Sequence, residues 1–284
     1  MAAPCPRELG GRAGKPPLSF PFRQLFNRLR CSRPVGLLRY YLYRYALSFP
    51  RRVACDICGW RGRRFLDFED RRVMCPRCGS LVRHRLFAAA LRSFPACRPE
   101  ALFVGKRVLH FSPEYCVGLL LRPAAGQYTK ADFIGTDRDV RADITNMPEI
   151  ATGSCDFLFA FDVLEHVASD ALALTEIYRV LAPDGVAALS APQQFALDFT
   201  VEDPTVITDD DRRRAYGQSD HRRLYGADLA DRLRAAGFHL FVVDYNSFPP
   251  AETARHVYFS PICDDRPFHF NHRRVFFCFK KRPS

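Results

Sequence analysis

At 284 residues the chain is long enough for one catalytic-sized core with a small accessory module, and short for two full domains. Its 48% hydrophobic, 13% aromatic and 26% charged residues exclude a disordered or fibrous chain. The net charge of +11 is lopsided: residues 1–100 carry 21 Arg and Lys against 6 Asp and Glu, whereas residues 101–284 carry 21 against 25. Such a basic front calls for an anionic partner, whether nucleic acid, an acidic membrane surface or an anionic substrate carrier; a solvated basic face is the plain alternative.

Residues 1–50 read as a basic, partly helical segment. A lead containing Pro and Gly gives way, from about Phe22 to Ser48, to aromatics and leucines interleaved with Arg23, Arg28, Arg30, Arg39 and Arg44. That amphipathic pattern suits a membrane surface, an RNA contact or packing on the domain behind it. The most apolar stretch, Val35 to Leu47, is broken by Arg39 and Arg44 and falls short of the ~18 residues a membrane span needs. The first twenty residues hold no secretory apolar core. An Arg-rich start also fits an organellar transit peptide. The cytoplasm is the expected location, with peripheral contact at a membrane surface as a further option for this segment.

Residues 51–85 contain Cys55, Cys58, Cys75 and Cys78 as two C-x-x-C knuckles. Two knuckles at this separation predict a tetrahedral zinc site, a zinc ribbon, and Gly59 and Gly79 after them suit the tight turns required. Four thiolates close the coordination shell, so the zinc is expected to be structural. A disulfide pair lacks the secretory context, and a redox dithiol has no use for two copies. So small a module draws about 10–16 kcal/mol of folding free energy from its metal. The other cysteines, Cys5, Cys31, Cys97, Cys116, Cys155, Cys263 and Cys278, have no ligand spacing and are expected to be buried or incidental.

Residues 86–284 alternate apolar strand-like runs with helical segments, the pattern of a mostly parallel sheet covered by helices. Strands are predicted at Arg107–Phe111, Gln127–Ala131, Cys155–Phe161, Gly185–Ser190, His239–Tyr245 and Val275–Lys280, and helices at Ala168–Val180 and Gly226–Ala236, the second stopped by Gly237. Ligands of open α/β sheets sit at the carboxyl ends of the strands. Those ends are polar here: His110, Ser112 and Glu114 after the first strand, Asp132 after the second, Asp143 and Ile144 after the next segment, and Asp162, Glu165 and His166 after the fourth. A carboxylate closing the second strand is what a ribose diol requires, which makes Asp132 the candidate.

The run from Cys155 to Val167, followed by that from Ile177 to Val186, resembles the fourth and fifth motifs of class I S-adenosylmethionine-dependent methyltransferases. With the cysteine knuckles, Gly79 to Arg85, Leu109 to Glu114, Ala142 to Pro148 and Tyr216 to Gly226, the chain is similar to a bacterial subgroup of that superfamily bearing an N-terminal zinc ribbon. The similarity covers about residues 53–245. It implies an α/β, Rossmann-like methyltransferase sheet, mostly parallel with the last strand antiparallel. It also implies a cofactor, S-adenosyl-L-methionine, with Asp132 on the ribose hydroxyls, Asp143 and Ile144 flanking the adenine, and Asp162 near the methionine end. The first motif departs from the superfamily pattern: His110, Ser112, Pro113 and Glu114 replace the acidic strand end and glycine loop, and Glu114 can supply the missing carboxylate.

Methyl transfer from a sulfonium is an in-line displacement in which positioning is worth ~7–11 kcal/mol, and a base is needed only when the acceptor must shed a proton. His221 is the candidate base, with Asp220 or Asp203 orienting it; a surface histidine beside a helix-capping aspartate is the competing reading. Asp209 to Arg214, acids first, reads as a solvated helix start. Glu165 and His166 either cap a helix or reach the cofactor. The acceptor stays open among a small molecule, a glycan hydroxyl and RNA. A non-catalytic zinc-bearing adaptor on the same fold is the reading from another class.

Overall fold

Two short hairpins open the described chain. β1 (Val53–Ala54) pairs antiparallel with β2 (Arg61–Gly62), and β3 (Leu66–Phe68) pairs antiparallel with β4 (Arg71–Met74). The computed structural model describes residues 51–68, 71–194, 196–259 and 274–281, so the basic segment expected over residues 1–50 lies outside them. After the second hairpin comes α1 (Val82–Ser93), which buries Leu86 to Leu91 and runs straight from the second knuckle onto the sheet. The boundary expected between residues 85 and 86 falls inside this helix. A short α2 (Pro99–Leu102) leads into the sheet proper.

The remaining elements follow in order: β5 (Arg107–Phe111), α3 (Tyr115–Leu121), β6 (Gln127–Asp132), β7 (Val140–Arg141), β8 (Cys155–Phe161), α4 (Asp170–Val180) and β9 (Leu181–Ser190). They are completed by α5 (Asp209–Tyr216), α6 (Leu229–Ala235), β10 (His239–Val243), α7 (Pro250–His256) and β11 (Val275–Phe279). The strands join in the order β10-β11-β9-β8-β5-β6-β7. From β9 across to β7 the neighbours are parallel, and β11 lies antiparallel between β9 and β10. Chain order reverses between β5 and β8, which puts the topological switch point, and the crevice that binds ligands in such sheets, at the carboxyl ends of these two strands.

The central strands β5, β8, β9 and β11 are largely buried on both faces, as their apolar runs require. In β8, Phe157, Phe159 and Phe161 join one core with α1 and α3, while Leu158 and Ala160 join the other with α4 and α6. Phe87 of α1 sits among Phe157, Phe159, Phe161 and Phe277 with ring centroids 5.1–6.4 Å away. The first core continues into the hairpins through Trp60 and Phe65, so the cysteine module shares the hydrophobic core of the sheet.

The helix bounds follow local chemistry. α4 starts at Asp170 because Ser169 caps it, its side chain accepting from the Leu172 N–H. α6 starts at Leu229 rather than at Gly226. A Cβ at Gly226 would meet the Leu197 carbonyl at 2.7 Å, so this glycine serves a close chain crossing, not a helix start. Gly237, at φ 96°, follows the end of α6.

Candidate active site

The two knuckles are built alike. Gly59 and Gly79 take φ values of 69° and 73°, and each donates its N–H to the carbonyl of the first cysteine of its knuckle, Cys55 or Cys75. One sulfur from each of the four cysteines lies within 4.8 Å of all the others. The Cys55–Cys78 and Cys58–Cys75 sulfur pairs are 3.7 and 3.6 Å apart. A tetrahedron with zinc–sulfur bonds of about 2.3 Å has edges of about 3.8 Å, so the four-cysteine cluster has the dimensions of such a site. Burial pushes the Cys97 and Cys155 thiols up to about 12, which suits inert packing rather than ligation.

Arg85 welds this module to the rest. Fully buried, its guanidinium donates to the carbonyls of Val73, Ser80, His256 and Val257 and stacks over Phe65 at 4.2 Å. Asp56, inside the first knuckle, completes the joint with Arg92 at 3.0 Å, His256 at 2.8 Å and the Tyr258 hydroxyl at 2.6 Å.

The neighbouring side chains of α1 reach the switch point. Arg83 pairs with Glu114 at 2.7 Å and with Asp162 at 3.1 Å, joining the ends of β5 and β8. His84 is neutral by its own hydrogen bonds: Nδ1 accepts from the Leu81 N–H at 3.0 Å, which leaves Nε2–H to donate to Glu114 at 2.7 Å. Burial lowers its pKa in agreement. His110 is likewise neutral, its Nε2 accepting from the Glu114 N–H and its Nδ1 facing the Tyr128 hydroxyl at 2.7 Å, and burial lowers it to about 4. Burial pushes the Glu114 carboxyl up, but the Arg83 charge and the His84 hydrogen bond outweigh it and hold the group well below the usual carboxylate range.

Ser112 and Asp162, just beyond β5 and β8, take φ values of 46° and 51°. These are left-handed conformations that cost a non-glycine residue about 1–3 kcal/mol and cluster at functional sites. The turn that glycines usually make is thus present without them.

Asp132 closes β6, and its Oδ1 accepts from the N–H groups of Ile134 and Gly135 at 2.8 and 2.7 Å. Gly135 permits this approach, since a Cβ there would meet Asp132 Oδ2 at 2.6 Å. Asp143 caps its own turn through the Thr145 N–H and hydroxyl, and Ile144 beside it is buried.

On the other flank, the segment between β9 and α6 folds back over the residues after β8. Arg222 donates its N–H to the Glu165 carbonyl, and Arg223 donates to the carbonyls of Leu164, Val167 and Ala168. This crossing sets the His221 and His166 rings edge to face with centroids 4.9 Å apart and brings both to Glu165. The Asp220 carboxylate reaches His166 at 3.4 Å, while Asp203 is occupied by Thr205. His221 is buried, and desolvation with His166 beside it lowers its pKa to about 4.

Arg83 and His84 escape strand-end reasoning because they lie on a helix ahead of the sheet. The basic run Arg83-His84-Arg85 directly after the second knuckle is the signal that marks them. Ser190, which closes β9, and Gln193 beyond it also carry buried oxygens without hydrogen-bond partners, and nothing in the sequence pattern marks them.

The sheet fits a Rossmann-like methyltransferase fold, with a reversed strand inserted beside otherwise parallel strands and acidic groups at the switch point. Residues 112–189, from the β5 turn to the end of β9, match the family model described as a methyltransferase domain. No curated protein sequence matches the chain. Solved structures similar to it include three distant ones. Bacillus subtilis YcgJ has 14% identity and a TM-score of 0.44, over 70% of this chain and 100% of that one. Burkholderia thailandensis 1,6-didemethyltoxoflavin-N1-methyltransferase, with bound S-adenosylhomocysteine, has 16% and 0.42, over 71% and 88%. A Mesorhizobium loti S-adenosylmethionine-dependent methyltransferase has 16% and 0.42, over 68% and 97%. Among the described residues no helix is long and apolar enough to cross a membrane.

Proposed function

We propose that the protein holds S-adenosylmethionine across the carboxyl ends of β5, β6 and β8 and methylates an acceptor admitted by the segment between β9 and α6, on a scaffold clamped by structural zinc. One observation carries the cofactor reading. Arg83 Nε and Glu114 Oε2 are buried at the switch point without hydrogen-bond partners, one a donor and the other an acceptor. Such atoms are costly to bury unless something answers them. The methionine end of the cofactor, a carboxylate beside an ammonium, has the complementary pair. When bound, the cofactor supplies an electrophilic methyl group on a sulfonium.

In this reading Arg83 takes the carboxylate and Glu114 the ammonium, with Asp162 beside them and His110 holding the turn through the Glu114 N–H. Asp132 keeps Oδ2 for the ribose diol while Oδ1 shapes the loop, and Asp143 and Ile144 flank the adenine. His221 stands on the acceptor side with His166, where exposed Phe199, Val201 and Ile207 offer apolar contact to the acceptor. The four thiolates hold one zinc. Arg85 supports this charge state, because its buried guanidinium donates to the carbonyl of Ser80, whose hydroxyl lies 3.2 Å from the Cys55 sulfur. A neutral thiol cluster would leave that charge far less well compensated.

Calorimetric titration with S-adenosylmethionine tests the reading. Saturable binding is expected, weakened about tenfold or more in Asp132→Ala through the loss of one charge-assisted hydrogen bond. Absence of binding at millimolar cofactor would sink it. Metal analysis is expected to find one zinc per chain.

A further inference from the structure

We propose that Glu165, His166 and His221 form a second metal site, distinct from the four cysteines, that holds a divalent first-row cation on the acceptor side of the switch point. One carboxylate oxygen and two ring nitrogens, one atom from each residue, all lie within 4.8 Å of one another. A cation with bonds of about 2.1 Å sets its ligand atoms about 3.0–3.4 Å apart, so side-chain rotations of about 1 Å close the set. Glu165 and His166 already stand at 3.8 Å.

The surroundings are those of a built site. Metal-binding imidazoles present one nitrogen to the ion and engage the other with a carbonyl or carboxylate, which fixes tautomer and ring direction. His166 Nδ1 lies 3.2 Å from the Asp220 carbonyl and 3.4 Å from its carboxylate, leaving Nε2 toward Glu165. His221 is held at its backbone, its N–H donating to the Gln218 carbonyl. The backbone on both sides is pinned, by Arg222 to Glu165 and His166 and by Arg223 to Leu164, Val167 and Ala168. Glu165 and His221 are buried and His166 is about one-third exposed, so the site opens to solvent on one side only.

Two imidazoles and a carboxylate suit manganese, iron, cobalt or zinc, and unlike the four thiolates they leave coordination positions open. This gives the acceptor a chemical class, a conclusion that rests on the methyl-transfer reading above. A hydroxyl bound through its oxygen to the cation becomes more acidic. Its proton leaves to water, the oxygen forms the bond to the methyl carbon, and the electron pair of the broken carbon–sulfur bond stays on sulfur.

Manganese distinguishes the two metal sites, being a poor partner for thiolates. The full chain, loaded with a single equivalent of zinc that the four thiolates take up, is titrated with Mn2+ while the free-ion electron paramagnetic resonance signal is followed. Saturable binding of one Mn2+ per chain is expected, with enhanced water-proton relaxation from the open positions. Glu165→Gln and His166→Gln should each weaken binding by at least about tenfold. Unchanged zinc content and cofactor titration in these variants report an intact fold. No saturable Mn2+ binding in the parent chain, or parental affinity in both variants, overturns the site. Bound Mn2+ without enhanced relaxation overturns the hydroxyl acceptor. Loss of cofactor binding in the parent with Mn2+ binding intact counts against the proposed function and leaves the metal site standing.

Discussion

Arg83 carries the greatest consequence of any single side chain here. Its guanidinium, 11% exposed, bridges Glu114 and Asp162 in a fork that an ammonium cannot copy. Arg83→Met should therefore leave two poorly compensated carboxylates and cost about 3–5 kcal/mol in denaturant unfolding. Arg83→Lys should recover part of that stability yet still bind cofactor at least about tenfold more weakly, since one point charge cannot serve both acids and a ligand carboxylate. Equal cofactor affinity in the parent and Arg83→Lys would separate the ion pairs from ligand binding. Strand-end acids such as Asp132 and Asp162 were legible because the period of a buried strand locates its own terminus. Arg83 was not, because its partners lie 31 and 79 residues further along the chain and only tertiary packing brings them together.

Among the elements, the cysteine module and α1 act as one lever. The second knuckle passes through Ser80 into α1, whose first turn carries Arg83, His84 and Arg85, so what holds the four sulfurs also aims the switch-point cation. The knuckles and six strands of the sheet could be read from spacing and periodicity, and the reversed strand followed from the methyltransferase resemblance. β7 could not, since two residues of edge strand leave no pattern, nor could α1, whose alanine-rich centre is buried all round instead of showing a single apolar face. The lever makes metal removal informative at a distance. Chelation of the zinc-loaded chain should lower its cofactor affinity and raise hydrogen exchange in Val82–Ser93 as well as in the hairpins. If exchange rises in residues 51–80 alone and cofactor affinity stays put, the cysteine module is an independent appendage.

At the scale of the whole molecule, the buried neutral imidazoles tie stability to pH. His110 is fully buried, and desolvation lowers it to about 4; His84 is shifted the same way. In the unfolded chain these rings titrate near 6.5, so between that value and about 4 the unfolded state binds more protons and stability falls as pH falls. The stabilisation from His110 is complete above pH 6.5, is lost progressively below it, and is worth about 3 kcal/mol at most. Glu114 acts in the same direction at lower pH, because its depressed carboxyl stabilises the fold above the ordinary carboxylate pKa and loses that contribution on further acidification. Denaturant midpoints at pH 7.5 and pH 5.0 should therefore differ in the parent chain. His110→Gln, which keeps a polar group for the Tyr128 hydroxyl but cannot be protonated, should show a smaller difference. An equal drop in both proteins would place the acid sensitivity elsewhere and argue that His110 is already solvated in the folded state.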